Sequence, residues 1–490
     1  MKLIDLPEDI LLEITSYLSV KDVLLLKQTC RALHAFGSSD YLWHRLVAAF
    51  EFPLDTLQNT RSTDFSSDEL QRSAIKALRL DANWRKPSPR IRRTTALITG
   101  TSGSYVDEMH ILPGGRWLLT SQRLRQREGR WTSLMTLWSL EDIQHARRIA
   151  HVEITGAQRT PAAFALQDGG DSVLLAVGVH DDTDFIEVHN ISIEDRINMS
   201  YSMRPARSRV LPLPPYSGTV IRHVLQELSM FEDLIAATVV SLELESDDRP
   251  LRILLSDARS GASAWVHPRY SEPFSFLWVR LRDGYIFLTG RLGAAVVLRI
   301  YKLPQNVMDS ATRSTRAMGD KRSSEDAFVD LGDAVAEFLS STSAGMHDVA
   351  QVSSASSTGL ALIIFHSFNG MERATGHIMR FRFARSYDSI KMLETQMQCL
   401  QLQQEASAQL ADIGATGRRA VWLEHNWETQ QKRLMRFEAQ DECEPLGVLL
   451  PPDPGLPFAP HACHSLAFDE VTGRLCLGFF NGDLYVVDFV

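Results

Sequence analysis

From Thr94 to Val490 the chain repeats one pattern: an apolar run, a tight turn rich in Gly or Asp, and a second, more apolar run. MHILPGGRWLLT turns at Pro113-Gly114-Gly115, FALQDGGDSVLLAV at Asp168-Gly169-Gly170, WVRLRDGYIFL at Asp283-Gly284 and LAFDEVTGRLCLGF at Thr472-Gly473. SSTGLALIIF turns near Gly359, ADIGATGRRAVWL near Gly417 and LSMFEDLIAATVV near Glu232-Asp233. Gly takes the positive φ such bends require and Asp caps them, so each instance predicts a β-hairpin. Most units continue into a third run, such as SLMTLWSL, FIEVHNISI, VVLRIYKL, HIMRFRFA and DLYVVDF. Three or four strands repeated radially describe the blade of a β-propeller. Recurrence of one hairpin type favours that ring, of about seven blades, over a pair of β-sandwiches. The run Thr94–Thr99 precedes the first unit, and Val490 directly follows a third strand. The expectation is that this early run becomes the last blade's outer strand and removes an open sheet edge.

The residues before Thr94 have a different texture. Leu6 to Phe50 reads as three short helices. The first starts near Pro7, which is tolerated where a first-turn N–H lacks a partner, and Glu8 and Asp9 suit the positive end of the helix dipole. Ile10, Ile14 and Leu18 recur every four residues as an apolar stripe. The second helix opens at Ser19, with Asp22 completing a capping box, and carries Val23, Leu26, Cys30 and Leu33. The third carries Tyr41, Leu42, Trp43, Leu46, Val47 and Phe50. Leu3, Ile4, Leu6, Leu11, Leu12, Leu24 and Leu25 fall off these stripes. So small a unit covers little more than half the surface its chain exposes. The surplus implies a covering surface, either the rest of this chain or a second polypeptide.

A further helix is predicted from Ser66 to Asn83, capped by Ser67 or Asp68, with Leu70, Ala74, Ala77, Leu78 and Asp81 at helical spacing. If it packs on both neighbours it fixes their relative orientation. Trp84 to Arg93, with its two prolines and five basic residues, reads as an extended, solvated linker. Residues 304–345 are rich in Ser, Thr, Ala, Asp and Arg and read as a flexible insert, in which Ser323-Ser324-Glu325-Asp326 reads either as an acid-directed phosphate acceptor or as the Ser-next-to-acid pattern common in such loops. Residues 389–411 read as an outer strand followed by a short helical turn.

The N-terminal stretch resembles an F-box. The matching residues are Leu6-Pro7, Ile10-Leu11, Ile14, Tyr17-Leu18, Asp22-Val23-Leu24, Thr29-Cys30-Arg31 and Leu42-Trp43 with Leu46. The chain departs from the family's usual Trp at Leu33 and usual Val at Thr29. The resemblance implies binding to a Skp-type adaptor, and through it a cullin, with contacts at Leu6, Pro7, Ile10, Leu11, Leu24, Cys30 and Trp43. The last unit, Cys463 to Phe489, looks like a WD-repeat, with Asn481-Gly482 at its second hairpin and Val487-Asp488 near the Trp-Asp position. The other units lack these landmarks, and Trp138-Ser139 is only an echo of them.

The net charge of -9 is spread over both signs along the chain. That balance points to neither nucleic acid nor a membrane surface. The five cysteines form no CxxC, which suits free thiols in a reducing compartment. MKLIDLPED meets acidic residues at once and has no apolar core, so no signal peptide is expected. No apolar run approaches the roughly 18 residues of a membrane span. The expected location is cytoplasmic, nuclear or both. There is no GxxxxGK, and Gly100-Thr101-Ser102-Gly103-Ser104 lacks the second Gly of GxSxG. His461-Ala462-Cys463-His464 contains metal-ligand residue types but no second ligand pair, so it reads as polar residues entering an inner strand. His180-Asp181-Asp182-Thr183-Asp184 reads as an acidic hairpin loop. No cofactor, metal or catalytic constellation is predicted. Arg116, Arg123, Arg125 and Arg127 lie along one hairpin, either as a solvated rim or as readers of an acidic or phosphorylated degron.

The expected fold is therefore α+β and multidomain: an F-box over residues 1–50, a linker helix and basic linker over 51–93, and a WD-like propeller over 94–490. The function these features imply is a non-catalytic, substrate-recruiting subunit of an SCF-type ubiquitin ligase, with an unidentified protein as substrate. The alternatives are an F-box scaffold acting outside a ligase, or a propeller hydrolase or lyase with acidic and His side chains converging in its channel.

Overall fold

The computed structural model describes residues 3–48, 50, 52–54, 65–100, 104–112, 114–125, 131–155, 161–167, 172–180, 184–192, 207–213, 220–243, 251–267, 274, 276–292, 295–303, 328–341, 347–353, 359–366, 375–385, 390–439, 447–450 and 455–490. The head contains four short helices rather than three: α1 (Glu8–Ser16), α2 (Val20–Lys27), α3 (Arg31–Phe36) and α4 (Asp40–Ala48). Apolar spacing runs on through Cys30, but the helix does not. Thr29 Oγ1 donates to the Leu26 carbonyl at 2.7 Å, and Cys30 is fully extended at φ -158, ψ 166. A hydroxyl that bonds the preceding turn competes with helix propagation. The Ser19–Asp22 capping box is present: Asp22 N–H donates to Ser19 Oγ at 3.2 Å, and Ser19 N–H to Asp22 Oδ2 at 3.1 Å.

The head's core consists of Val20, Val23, Leu42, Trp43 and Leu46, closed by Leu70 and Ala74 of α5 (Ser67–Trp84). The start of α5 is held by Glu69, whose carboxylate accepts the N–H of Ser66 at 2.9 Å and its hydroxyl at 2.8 Å, so the cap is Ser66 rather than Ser67 or Asp68. Asp40 at the start of α4 accepts the Ser67 N–H at 2.7 Å, which ties the two helices end to end.

Beyond α5 the strands form seven sheets among the described residues, one per predicted hairpin. Their first, inner strands are Val106–Ile111, Ala162–Gln167, Val220–Phe231, Phe276–Arg282, His347–Val352, Ala406–Ile413 and Cys463–Asp469, which begin blades 1 to 7. Each blade is an antiparallel meander. All five described inner hairpins contain positive-φ residues: Gly114 and Gly115, Glu232, Asp283 and Gly284, Gly417, and Gly473. Positive φ at both centres of Asp283-Gly284 gives the bend whose twist matches the flanking strands.

The ring has no single core. Seven apolar slabs lie between neighbouring blades, the last between blades 7 and 1. The strand Arg93–Ile98 pairs antiparallel with Leu484–Asp488, with Arg93 opposite Asp488 and Thr95 opposite Val486. It is the outer strand of blade 7, so the chain closes the ring on itself. Side chains of the inner strands stitch blade to blade. Ser229 Oγ accepts the Leu281 N–H at 3.1 Å, Asp412 accepts the Phe468 N–H at 2.7 Å, and Ser465 donates to the Val106 carbonyl at 2.7 Å.

Three segments differ from expectation. Part of the 304–345 insert belongs to the ring. Phe328–Asp330 adds a fifth, parallel strand to blade 3 along Trp265–His267, and Ala336–Ser341 is the outer strand of blade 4. Residues 304–327, including Ser323-Ser324-Glu325-Asp326, lie outside the described residues. Residues 389–411 hold no helical turn: Ile390–Gln401 is the outer strand of blade 5, and the chain bends at Glu405, at φ 55, into the inner strand of blade 6. The basic linker keeps its five basic residues exposed, but its path is pinned to the ring. Trp84 and Pro89 are buried, and Asn83 Nδ2 donates to the carbonyls of Arg90 and Phe489, both at 2.8 Å.

Gly473 is where α5 meets the ring. Its φ is +68, and a Cβ there would collide with the Leu80 side chain. Gly473→Ala is therefore expected to cost about 1–3 kcal/mol, from left-handed strain plus overpacking. Chemical denaturation monitored by tryptophan fluorescence checks this, because Trp84 lies in the same contact.

Candidate partner-docking site

On α1, positions three and four residues apart share a face. Ile10, Ile14 and Tyr17 form such a row, and all three are exposed, Tyr17 to 82%. Leu11 and Thr15 occupy the opposite, buried face. The stripe that looks like core is thus the outward face. Exposed Pro7 and half-buried Leu6 extend it at the helix start, and Leu25 on α2 and Tyr41 on α4 are also exposed apolar residues of the head.

The residues implied as adaptor contacts divide accordingly. Leu6, Pro7, Ile10 and exposed Cys30 are accessible, and Leu24 is half-buried against the head's core. Leu11 at 8% exposed and Trp43 at 0% are corrections. Trp43 is the head's central core residue, and its indole donates to the Gly37 carbonyl at 2.8 Å. It shapes the docking surface from beneath. Ile14, Tyr17, Leu25 and Tyr41 are exposed apolar residues that the resemblance did not single out as contacts. For the first two, the spacing from Ile10 was the available signal.

The orientation of this surface is set by the C-terminal half of α5. Leu80 and Trp84 enter the slab between blades 6 and 7. The Trp84 ring stacks on Phe468 at 5.2 Å and meets Phe489 edge-on at 5.6 Å, and its Nε1 donates to the Phe437 carbonyl at 3.3 Å. Charged groups surround this seat. Asp81 lies 2.9 Å from Arg85 and 3.2 Å from Arg419, and Glu438 lies 3.7 Å from both arginines. Arg418 sits 4.2 Å over the Phe52 ring. Arg436 donates to the carbonyls of Lys86 and Pro87. Burial, reinforced by the neighbouring Asp81 carboxylate, pushes Glu438 up to about 7.

Meander topology then places the ring's two faces. Turns between first and second strands share one face with the exits of third strands. α5 touches Gly473 and Arg419 at the former and Phe437 and Phe489 at the latter. The opposite face, made by the second hairpins and the blade-to-blade connections, points away from the head. Of the four arginines, the two whose side chains are described, Arg116 and Arg123, do not lie together. Arg116 lies in the inner hairpin of blade 1 and Arg123 near the far end of strand Trp117–Arg125. Seven residues of strand separate them, about 23 Å. Arg123 is spent on Asp107 at 3.0 Å. The Arg125 side chain and Arg127 lie outside the described residues.

Polar groups on the inner strands serve the ring. Glu227 pairs with Arg280 at 2.5 Å and accepts the Val279 N–H at 3.3 Å, and burial raises its pKa. Asp412 accepts two backbone N–H groups and is pushed by burial up to about 6. Alternation on the inner strand sends the two residues of Cys463-His464 to opposite sides. Buried Cys463 donates to the Ser465 carbonyl at 3.1 Å, while the His464 ring packs on Tyr105 at 4.8 Å. His180 pairs with Asp184 at 2.7 Å, and residues 181–183 lie outside the described residues. Among the described residues there is no cluster of three or more His, Cys, Asp or Glu arranged to hold a metal. No helix among them is long and apolar enough to cross a membrane.

Residues 3–49 match the F-box-like family. No curated protein matches the chain. Among solved structures it is similar to an acylaminoacyl peptidase of Pyrococcus horikoshii, at 9% identity and TM-score 0.40 over 76% of this chain, and it spans 48% of that chain. It is similar to the Dos1 propeller, at 11% identity and TM-score 0.36 over 78% of this chain and 77% of that one. It is also similar to a chain of the Mitotic Checkpoint Complex, at 10% identity and TM-score 0.38 over 81% of this chain and 94% of that one.

The Glu438 site has a pH signature. Its folded pKa, about 7, lies above the ordinary carboxylate value of 4.5. The folded state therefore holds the proton more tightly, and the stability this contributes is present at low pH and lost as pH rises through about 7. Thermal melts from about pH 5 to pH 8 should show declining stability in the wild type and a shallower decline in Glu438→Gln. Parallel curves for the two proteins would mean that Glu438 does not titrate in this range.

Proposed function

Because this chain is an F-box protein, an F-box-like head followed by a seven-bladed propeller, we propose that it recruits clients to an SCF-type cullin-RING ubiquitin ligase. The head binds a Skp-type adaptor, and through it a cullin. The propeller holds the protein to be modified, and the transfer chemistry belongs to other subunits. This pairing of domains is typical of non-catalytic interaction adaptors, and the proposed place of work is the cytoplasm or nucleus.

The observation that carries the reading is the exposed row Ile10, Ile14, Tyr17 on a head whose core is otherwise complete. An apolar helical face of this kind suits burial against a groove or helix of a partner, with two or three anchors supplying most of the affinity. Full burial of one Ile is worth about 1.5–3 kcal/mol. The seat of α5 supports the second half of the reading, since it leaves the far face of the ring open to a client.

Ile10→Asp combined with Ile14→Asp is expected to weaken adaptor binding at least about 100-fold in a titration, with the wild-type fold retained. Leu6→Ala combined with Pro7→Ala should abolish co-precipitation of the adaptor. Wild-type binding by both variants would sink the proposal. Reconstituted ubiquitin transfer to a co-purified partner separates a ligase subunit from a scaffold that only borrows the adaptor.

A further inference from the structure

A cavity of about 560 Å³ opens between blades 6 and 7 on the face turned away from the head. Its walls are Phe458, Ala459 and Ala462 from the connection entering blade 7, and Phe479 and Phe480 from that blade's second hairpin. The inner strand Cys463–Asp469 runs from this cavity to the turn beneath Leu80. Seven residues of strand put the cavity about 20 Å from the α5 seat. The walls are held in place: Phe458 packs on Phe479 at 5.4 Å and on Tyr485 at 4.9 Å. Phe480 is 63% exposed, with its ring 4.1 Å from His464. Cys463 forms part of the floor, and burial pushes its thiol up to about 12, so it acts there as an apolar group.

Lys432, Asn481 and Asp483 bring the polar groups. Asp483 is already engaged: its Oδ1 accepts the Gly100 N–H at 3.0 Å and its Oδ2 accepts Asn481 Nδ2 at 2.8 Å. Lys432 is half-buried and makes no hydrogen bond or ion pair among the described residues. Among the described lining residues Lys432 carries the one positive charge, and Asp483 is turned to its two N–H donors, so an incoming anion beside the aromatic walls gains more from the ammonium than it would in open water. The cavity falls in the usual size range for ligand pockets, and its few polar groups among apolar walls match their usual chemistry.

We propose that this cavity binds a linear peptide segment in which a bulky apolar side chain stands next to Asp or Glu. The apolar side chain enters the cavity against Phe458, Phe479 and Phe480, and the carboxylate meets Lys432. The inference rests on the reading that the propeller holds the client, and it gives the recognised element its chemistry.

A random peptide library displayed on phage is panned on the full-length protein, with Lys432→Glu and Ala459→Trp as parallel baits. Ala459 is exposed and Lys432 half-buried, and unchanged melting temperatures verify that the variants fold. The wild type is expected to enrich peptides that pair Phe, Tyr, Trp, Leu or Met with a neighbouring Asp or Glu. Lys432→Glu should lose the acidic preference, and Ala459→Trp, which fills the cavity, should lose the enrichment. An enriched peptide measured by fluorescence polarisation should bind each variant at least about tenfold more weakly. No enrichment, equal enrichment on all three baits, or a preference for basic peptides overturns the proposal. Failure here with adaptor binding intact removes only the cavity assignment. Enrichment without adaptor binding removes only the ligase reading.

Discussion

Helix α5 belongs to two cores at once, and the arrangement of the molecule follows from that. Its first half completes the head through Leu70 and Ala74, and its last turn buries Leu80 and Trp84 in the slab between blades 6 and 7. Truncating a buried Trp typically costs about 3–5 kcal/mol. The charged ring of Asp81, Arg85, Arg419 and Glu438 around it is a different kind of contribution. Burying such ions costs about as much as their attraction returns, so the network supplies direction more than strength. On that comparison the aromatic seat holds the helix down, and the charges select the angle at which it sits.

The same short stretch of chain also closes the ring. Nine residues after Trp84 the backbone enters the strand Arg93–Ile98 and pairs with the last strand of blade 7. Seating the head and shutting the propeller are thus consecutive events on one segment. The polar path between them is pinned by Asn83 to Arg90 and Phe489, and by Arg436 to Lys86 and Pro87. Because the meander fixes which loops share a face, the position of α5 decides the rest. The head occupies one face of the ring, and among the described residues the far face, with its aromatic cavity, is not covered by it.

The hairpins were readable because each needs a local backbone geometry that few residues supply. Gly or Asp between two apolar runs marked every inner hairpin, including the weakest, where Glu232 takes φ 53. The closing strand was readable because an unpaired run before the first unit matched a missing strand in the last. What escaped was non-local or two-sided. The parallel pairing of Phe328–Asp330 with blade 3 joins segments some sixty residues apart and leaves no periodic mark. The Asp81–Arg419 contact spans 338 residues of sequence. On α1 an apolar stripe was visible, but periodicity does not say whether such a stripe faces the core or a partner. Ile10 and Ile14 face outward, while Leu11 between them faces in. Arg116 and Arg123 of blade 1 are close in sequence, yet the strand Trp117–Arg125 holds them apart.

Amide hydrogen exchange of the intact chain measures most directly whether α5 is shared structure or a tether. If the helix is common to head and ring, the amides of its C-terminal half, Ala77 to Trp84, exchange as slowly as those of Cys463–Asp469 and Arg474–Phe479, and all of them are released together as denaturant is added. If those helix amides exchange rapidly while blade 7 remains protected, the head is only tethered to the ring, and the account given for the molecule's architecture is wrong.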